Sequence, residues 1–312
     1  MNFATIDVGS NSILLLIASV TPEGKIRPLI EKAEITRLSE KINEGGALIP
    51  SAMERSLKVL RQYTDICHRN KVDRISCIGT EALRRAKNAN EFVQQVENLC
   101  GFKLEIISGT KEAELAYLSA ILDFGDIYSN MIVLDIGGGS TELIWQTEQN
   151  GDTAKLQTLS MKMGSVRLTE EFLKQDPVIK SEYVAMRQAI EDKLAHHCET
   201  LQFPQAPLTL IGLAGTVTTL SALDQKLSPY DSEQIQGAKL THAALKEILR
   251  KLKEKNLEER KKMKGMEPKR ADVILAGATI LDCVMGKLGA AEMIVSDRGI
   301  RYGLFFQRYV LS

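Results

Sequence analysis

Short apolar runs that end at an acidic residue and a glycine turn are the most regular pattern in this chain of 312 residues. Residues 131–134 (MIVL) form a run too short for a helix, and residues 143–145 (LIW) form a second run rich in β-formers. The segment between them, 135–142 (DIGGGSTE), carries the turn residues. The pattern predicts a strand, a tight glycine turn and a second strand.

The N-terminus repeats this pattern in shorter form. Residues 3–8 (FATIDV) predict a strand, 9–12 (GSNS) a turn, and 13–17 (ILLLI) the returning strand. One such turn alone is more often structural than functional. Because two of them occur about 130 residues apart, we expect a duplicated unit, and therefore two similar domains that face each other.

The turn at 135–142 also has the composition of a phosphate site. Its three glycines allow positive φ angles and a close approach of backbone N–H groups to a ligand, and clustered N–H groups suit phosphate oxygens. Asp135 and Glu142 could hold a divalent cation, which prefers oxygen ligands. Asp7 has the same place before the first turn. A glycine turn alone is more often a plain connection, but the flanking acids and the Ser-Thr pair favour phosphate.

The rest of the chain alternates between helix and strand patterns. Ser51 and Glu54 form a capping-box signature for a helix, and a long helix is predicted at about residues 181–200. Residues 208–213 predict a strand that leads through Gly215 and Thr216 into a helix N-terminus, a second geometry that receives anions. Arg270 opens an apolar helix through residue 285, and a strand at 292–296 precedes the final helix.

Two charged positions have both a functional and an ordinary interpretation. Arg84, Arg85 and Lys87 follow a predicted strand and could meet phosphate, or they could be a solvated helix start; the sequence favours neither. Glu112 falls in the first turn of a helix, where the macrodipole favours its ionised form, so it could act as a base. Taken alone, it is more often an ordinary acidic residue at a helix start.

Composition excludes several classes of protein. Forty basic and forty acidic residues balance, whereas a general nucleic-acid binder is usually basic. No apolar run is long enough to span a bilayer, and the N-terminus lacks the pattern of a signal peptide. Five scattered cysteines without CxxC spacing predict reduced, mostly buried thiols in the cytoplasm. We therefore expect no nucleic acid and no membrane as partners.

The motifs together resemble the exopolyphosphatase and guanosine pentaphosphate phosphohydrolase (Ppx/GppA) family in its short two-domain form. The similar stretches follow the family order over nearly the whole chain: IDVGSNS (6–12), GTEALRRAKN (79–88), ISGTKEAELAYL (107–118), LDIGGGSTEL (134–143), MGSVRLTEEF (163–172), GLAGTVTTL (212–220), RADVILAG (270–277) and SDRGIRYGL (296–304). The resemblance implies an actin/Hsp70/sugar-kinase-like (RNase H-like) α/β fold. The implied domains are 1–123 with 300–312, and 124–299, with the active site in an interdomain cleft.

The resemblance also implies roles for individual residues. Glu112 matches the catalytic base, and Asp135 and Glu142 match the acids that manage Mg²⁺ and water, with Asp7 as a further metal candidate. Arg84 and Arg270 match basic residues that bind substrate. The matching phosphate loops contain Gly9, Ser10, Asn11, Ser12, Gly137, Gly138, Gly139, Ser140 and Thr141, with Gly215 and Thr216 from the later turn.

The implied reaction is Mg²⁺-dependent hydrolysis of a terminal phosphoanhydride, which mainly requires positioning and charge stabilisation. The expected substrate is inorganic polyphosphate or guanosine pentaphosphate; a homodimer is left open. Three departures from the family pattern put substrate preference in doubt. Leu14 stands where many members have Arg or His, Ala214 replaces a glycine, and Gln236 replaces a common histidine.

Three rival functions remain open. A sugar or acetate kinase on this fold would share the loops but would transfer phosphate to a hydroxyl group. An Hsp70-like chaperone would need a substrate-binding domain, for which the sequence gives no signal. A non-catalytic sensor of polyphosphate or guanosine polyphosphates would need no base, so Glu112, Asp135 and Glu142 argue against it.

Overall fold

The computed structural model describes residues 1–128, 130–149, 152–198, 201, 203 and 208–311. The chain divides into two compact units. Unit 1 consists of Met1–Ser119 with Ile300–Ser312, and unit 2 of Ala120–Gly299. The first boundary lies four residues before the one proposed from the sequence, within the helix Gly109–Phe124.

Unit 1 is built on a five-stranded mixed sheet in the order β3-β2-β1-β4-β5. Strand β1 pairs antiparallel with β2 and parallel with β4. The elements of unit 1 are β1 (Asn2–Val8), β2 (Ser12–Val20), β3 (Ile26–Ile35), α1 (Ile42–Gly45), α2 (Pro50–Arg69), β4 (Val72–Gly79), α3 (Glu81–Arg85), α4 (Ala89–Cys100), β5 (Leu104–Ile106) and α5 (Gly109–Phe124), with the C-terminal helix α13 (Gly299–Tyr309).

Unit 2 repeats this sheet and adds one edge strand, giving the order β10-β11-β9-β6-β7-β8. Its elements are β6 (Met131–Ile136), β7 (Thr141–Gln149), β8 (Asp152–Met161), α6 (Ser165–Phe172), α7 (Lys180–Cys198), β9 (Thr209–Leu213), α8 (Ala214–Gln225), α9 (Ser232–Ile235), β10 (Lys239–Thr241), α10 (His242–Glu254), α11 (Leu257–Lys261), a 3₁₀ turn (Pro268–Arg270), α12 (Ile274–Leu288) and β11 (Glu292–Val295). The predicted α/β class with a duplicated sheet is confirmed.

The first strands of each sheet are apolar because both of their faces are covered. Ile13 and Leu15 on β2 pack with β1 and α2 in the core of unit 1. On the same strand, Leu16 and Ala18 pack against Phe305 of α13. Burial on both faces therefore explains why these runs lack the polar alternation of a half-exposed strand.

Several sequence predictions need correction or completion. Helix α2 begins at Pro50 after Ile49, and no side chain caps it, so the predicted Ser51–Glu54 capping box is wrong; Pro at the first position suits a helix start without one. The apolar helix begins at Ile274 rather than at Arg270, which lies in the 3₁₀ turn. Helix α7 ends at Cys198, and the predicted extension to residue 200 lies outside the described residues.

Two further features bear on the class of protein. All five cysteines are buried free thiols, as predicted. Among the described residues, no helix is both long and apolar enough to cross a membrane.

Candidate active site

The two acid-flanked turns adopt the same backbone closure. The N–H of Gly9 donates to the carbonyl of Ser12 at 3.0 Å, and the N–H of Gly137 donates to the carbonyl of Ser140, also at 3.0 Å. Neither glycine has a positive φ angle, so Gly137 does not use the positive φ that glycine allows in the second turn. Both turns close as ordinary hairpins between paired strands.

The carbonyl groups of the second turn are bound to the start of α6. The carbonyls of residues 137 and 138 accept from the N–H groups of Ser165 and Val166 at 3.0 and 2.9 Å, and that of Gly139 accepts from Nε of Arg167 at 2.9 Å. In a planar trans peptide, each carbonyl points opposite to the next N–H group. The N–H groups of residues 138–140 therefore face away from α6, the orientation that an anion-binding turn requires.

Gly164 makes this arrangement possible through close packing. A Cβ atom added at Gly164 would lie 2.5 Å from the backbone of Gly138 and Gly139. Any larger residue would push the turn away from α6 and break the hydrogen bonds that orient its carbonyl groups.

The first turn is oriented by the chain that follows β3. The carbonyl of Ser10 accepts from the N–H of Ser39 at 3.0 Å, and that of Asn11 accepts from Thr36 and Arg37 at 3.0 and 2.9 Å. By the same peptide geometry, the N–H groups of residues 11 and 12 face the opposite side. Both predicted phosphate loops thus present backbone N–H groups on the side away from their supporting segment.

Asp135 and Glu142 occupy directly opposed positions on β6 and β7. Residues opposed in an antiparallel pair share one face of the sheet, with Cβ atoms about 5 Å apart. Ser160 on β8, opposite Glu142, donates its hydroxyl to Oε1 at 2.9 Å. Two adjacent carboxylates repel each other unless a cation lies near them, so this pair fits a divalent metal, which takes oxygen ligands.

Asp7 in the first hairpin is a buried carboxylate with an unsatisfied oxygen. Its Oδ1 atom has no hydrogen-bond partner, and burial, with a smaller contribution from Glu112, raises its pKa to about 8, against the lowering effect of Arg301. A bound cation would offset both costs. The described residues contain no group of three or more His, Cys, Asp or Glu side chains suited to hold a metal. The opposed pair of Asp135 and Glu142 fits Mg²⁺, which commonly uses one or two carboxylates together with water and substrate phosphates.

Glu112 and Arg84 lie together in unit 1. Nη1 of Arg84 contacts Oε2 of Glu112 at 2.6 Å and donates to the carbonyl of Ile107 at 3.1 Å. Glu112 is in the first turn of α5, as predicted. Burial nevertheless raises its pKa, and the nearby Arg84 only partly counters this. Burial therefore acts against the helix start, which favours the ionised form of Glu112, and burial is the largest cause of the raised pKa.

Sequence reasoning missed Glu81 as a support for the first turn. Ser10 donates its hydroxyl to Oε2 of Glu81 at 2.8 Å, and Arg85 contacts Oε1 of the same carboxylate at 2.9 Å. The Ser10 side chain is thus engaged within the protein, and the loop offers its backbone to a ligand. The available signal was an acidic residue in the first turn of α3, close in sequence to Arg84, Arg85 and Lys87.

The third predicted phosphate element is the start of α8. A Cβ atom added at Gly215 would lie 2.1 Å from Cζ of Arg270, so the guanidinium packs directly on this glycine. Burial lowers the pKa of Arg270. Thr216 is buried, and its methyl group faces Gly277 of α12. A cation against the positive end of a helix is unfavourable unless an anion joins them.

The predicted site residues therefore form two sets. Unit 1 holds Asp7, the turn at 9–12, Arg84 and Glu112, and unit 2 holds Asp135, Glu142, the turn at 137–141 and the start of α8 with Arg270. That the two sets share one cleft stays a prediction.

Comparison with known proteins identifies the family. The sequence profile of the Ppx/GppA phosphatase family matches residues 16–310. The chain belongs to the Ppx/GppA phosphatase family. It is 32% identical to exopolyphosphatase 2 of Mycobacterium tuberculosis, covering 96% of both chains. It is also 33% identical to a bifunctional 3-dehydroquinate synthase/phosphatase of Fusobacterium nucleatum, covering 94% of this chain and 44% of the relative.

A solved structure supports the same assignment. The Aquifex aeolicus member of the Ppx/GppA family is 35% identical, with a TM-score of 0.81, covering 100% of this chain and 98% of that one. The actin/Hsp70-like α/β fold expected from the sequence is thereby confirmed, and the chain is a phosphatase of this family.

Proposed function

We propose that this phosphatase releases orthophosphate from the end of inorganic polyphosphate in a Mg²⁺-dependent reaction. The observation that carries the proposal is the opposed pair of Asp135 and Glu142 beside a turn whose N–H groups face away from α6. The name of the mycobacterial relative, an exopolyphosphatase, supports polyphosphate as the substrate.

The proposed binding step uses backbone groups and one arginine. N–H groups of both turns would bind the oxygens of the terminal phosphoryl group, and Arg270 at the start of α8 would bind a further phosphate. Asp135 and Glu142, with Asp7, would hold Mg²⁺. When bound, the metal would supply neutralisation of charge on the transferring phosphoryl group.

The proposed chemical step is an in-line displacement by water. The water oxygen bonds to the terminal phosphorus, the bond to the bridging oxygen breaks, and the shortened chain leaves with a terminal phosphate. Glu112 orients the water and accepts its proton, while Arg84 holds the Glu112 carboxylate in place. The raised pKa of Glu112 suits this role, because a base works best when its pKa approaches the operating pH.

Guanosine pentaphosphate is the second proposed substrate. It ends in the same phosphoanhydride, so the loops and Glu112 would act on it without change. Leu14 and Gln236 replace polar or basic residues of the family pattern, and Gln236 is occupied by hydrogen bonds to Asp123 and the N–H of Asp297, each at 2.9 Å. Because the mycobacterial relative is an exopolyphosphatase, we propose polyphosphate as the better substrate.

The test is phosphate release from polyphosphate and guanosine pentaphosphate, side by side, with Mg²⁺ and with a chelator. We expect metal-dependent release from both and faster release from polyphosphate. Tight polyphosphate binding without release under any divalent metal would favour a sensor. Phosphate transfer to an added alcohol or sugar rather than to water would favour a kinase.

The buried free cysteines support a reducing compartment, the cytoplasm, as the place where the protein acts.

A further inference from the structure

A second polar cluster lies in unit 2 and shares no residue with the candidate active site. Helices α7, α10 and α12 surround a pocket of about 320 Å³. This volume lies at the lower end of the range typical of small-molecule sites. Its lining combines charged side chains, among them Arg187 and Asp282, with apolar ones, among them Leu194 and Ala195.

Asp282 organises the polar side of this pocket. It is 5% exposed and is the charged residue within the stretch 274–285 of α12, all of which is buried. Its Oδ2 atom contacts Nη1 of Arg187 at 2.6 Å, and its Oδ1 atom contacts Nε2 of His242 at 2.8 Å. A buried carboxylate is costly unless it is paired, and here both oxygens are paired. The carboxylate thereby fixes Arg187 and His242 at the wall of the pocket.

The charges that line the pocket leave a positive excess. Both carboxylates, Asp282 and Glu191, are bound to Arg187, the second through Nε at 2.9 Å. Lys246 and Lys287 are exposed, and neither has an ion-pair partner among the residues that the structure describes. Three permanent cations, Arg187, Lys246 and Lys287, therefore face two carboxylates.

The remaining wall is apolar and open. Leu194, Ala195 and Cys283 contribute apolar surface, and a Cβ atom added at Gly286 would meet no atom within 4 Å. A ligand that fits this wall carries an apolar or aromatic body in addition to its anionic group. Compact ammonium groups without partners favour phosphate, which carries a charge of about −1.5 to −2 near pH 7.

We propose that this pocket binds a small organic phosphate monoester, with Lys246 and Lys287 on the phosphate and the organic body against Leu194, Ala195 and Gly286. The site is independent of the hairpin turns and of the proposed hydrolysis, because none of its residues belongs to either set of candidate catalytic residues.

The experiment is calorimetric titration of the full chain, at low ionic strength, with AMP, GMP and glucose 6-phosphate as probes. Adenosine and inorganic phosphate serve as comparison ligands, since each provides only one half of the proposed ligand. We expect at least one monoester to bind at least tenfold more tightly than either comparison ligand. Absence of binding by all three monoesters, or equally tight binding of inorganic phosphate, would overturn the proposal.

Two variants locate the binding. The double substitution Lys246→Gln with Lys287→Gln should weaken monoester binding at least tenfold, whereas Lys58→Gln with Lys103→Gln, an equal charge change at exposed positions in unit 1, should not. Gly286→Leu keeps every charge but fills the open wall, and should also block binding without loss of thermal stability, since Leu favours a helix over Gly. Unchanged affinity in both pocket variants would overturn the site.

A spectroscopic readout reports on the pocket directly. The chain has four histidines, so the imidazole NMR signals can be assigned by substitution. Addition of the bound monoester should shift the His242 signal in the parent and in the Lys58/Lys103 control but not in the Lys246/Lys287 variant. A shift confined to the other histidines would place the ligand elsewhere and reject the proposal.

Discussion

The turns of the two hairpins have the same length and the same backbone closure, but the positions opposite their two aspartates carry different side chains. Asp7 lies opposite Leu14 across the first hairpin, and Asp135 lies opposite Glu142 across the second. The second hairpin thus opposes two carboxylates, while the first opposes a carboxylate to an apolar side chain. The duplicated framework supplies the same turn twice, and a single side chain makes only the second turn a paired-acid site.

The two aspartates also differ in burial. Asp7 is buried, with an oxygen that lacks a partner and a pKa raised to about 8, whereas Asp135 is half-buried. The first hairpin instead has the base candidate as its electrostatic neighbour, since Glu112 contributes to the raised pKa of Asp7. In the proposed reaction, unit 2 would supply the main metal acids and unit 1 the base.

The largest effect is expected at Glu112. Glu112→Gln keeps the size of the side chain but removes its basicity, so kcat for polyphosphate should fall by about 10²–10⁴. KM should change little, because the lost interaction belongs to the transition state. Steady-state kinetics at saturating Mg²⁺ measure both constants. A kcat within a few-fold of the parent would assign the base elsewhere, and a raised KM with normal kcat would make Glu112 a binding residue.

The titration of Asp7 gives the next largest effect, on stability. A carboxyl group whose folded-state pKa is raised stabilises the folded state below its unfolded pKa and loses that contribution as pH rises through the folded value. Between about pH 4 and pH 8, the metal-free protein should therefore lose on the order of 1 kcal/mol per pH unit from this group.

Asp7→Asn should remove this dependence and flatten the stability curve between pH 5 and pH 8. Urea unfolding in the presence of a chelator measures it, and the parent with added Mg²⁺ provides the comparison. If the parent and the variant show parallel pH curves, Asp7 is not the buried titrating group.

Leu14→Arg tests the position that distinguishes the hairpins. Leu14 is half-buried rather than part of the core, so an arginine there can reach solvent beside Asp7. One charge-assisted contact contributes roughly 1.5 kcal/mol, about a tenfold decrease in KM for polyphosphate. Leu14→Met is the uncharged control. Equal KM values in the parent and in both variants would show that this side of the hairpin does not meet substrate.

The smallest effect, on stability, is expected at the connection between a central strand and the helix that follows it. Thr80 after β4 has a φ angle of −114°, whereas Ala214 after β9 has a φ angle of 68°, a region that favours glycine. Ala214→Gly should stabilise the protein by about 0.5–1 kcal/mol, the relief of left-handed strain less the added chain entropy of glycine. Ala222→Gly, within α8, should destabilise it instead. Thermal unfolding measures both, and a destabilised Ala214→Gly variant would contradict the assigned strain.

The sequence was sufficient to predict the hairpins and their acids because that pattern is local. The opposition of Asp135 to Glu142, and of Asp7 to Leu14, depends on strand register, which appears only when the two sides of each turn are paired. Glu81 and Asp282 escaped notice for another reason. The partner of Glu81 is Ser10, 71 residues away, and that of Asp282 is Arg187, 95 residues away. A local sequence pattern does not predict contacts over such distances.

The most direct test of the account is the Mg²⁺ dependence of phosphate release in Glu142→Leu, which gives the second hairpin the side chain of the first. The account predicts that the variant folds, that its maximal rate falls by about 10²–10³, as on loss of one group that stabilises transition-state charge, and that more Mg²⁺ is needed for half-maximal rate. Glu114→Leu, an exposed glutamate on α5, is the control and should behave as the parent. A Glu142→Leu variant with the parent's rate and the parent's Mg²⁺ curve would contradict the claim that the paired acids of unit 2 hold the metal.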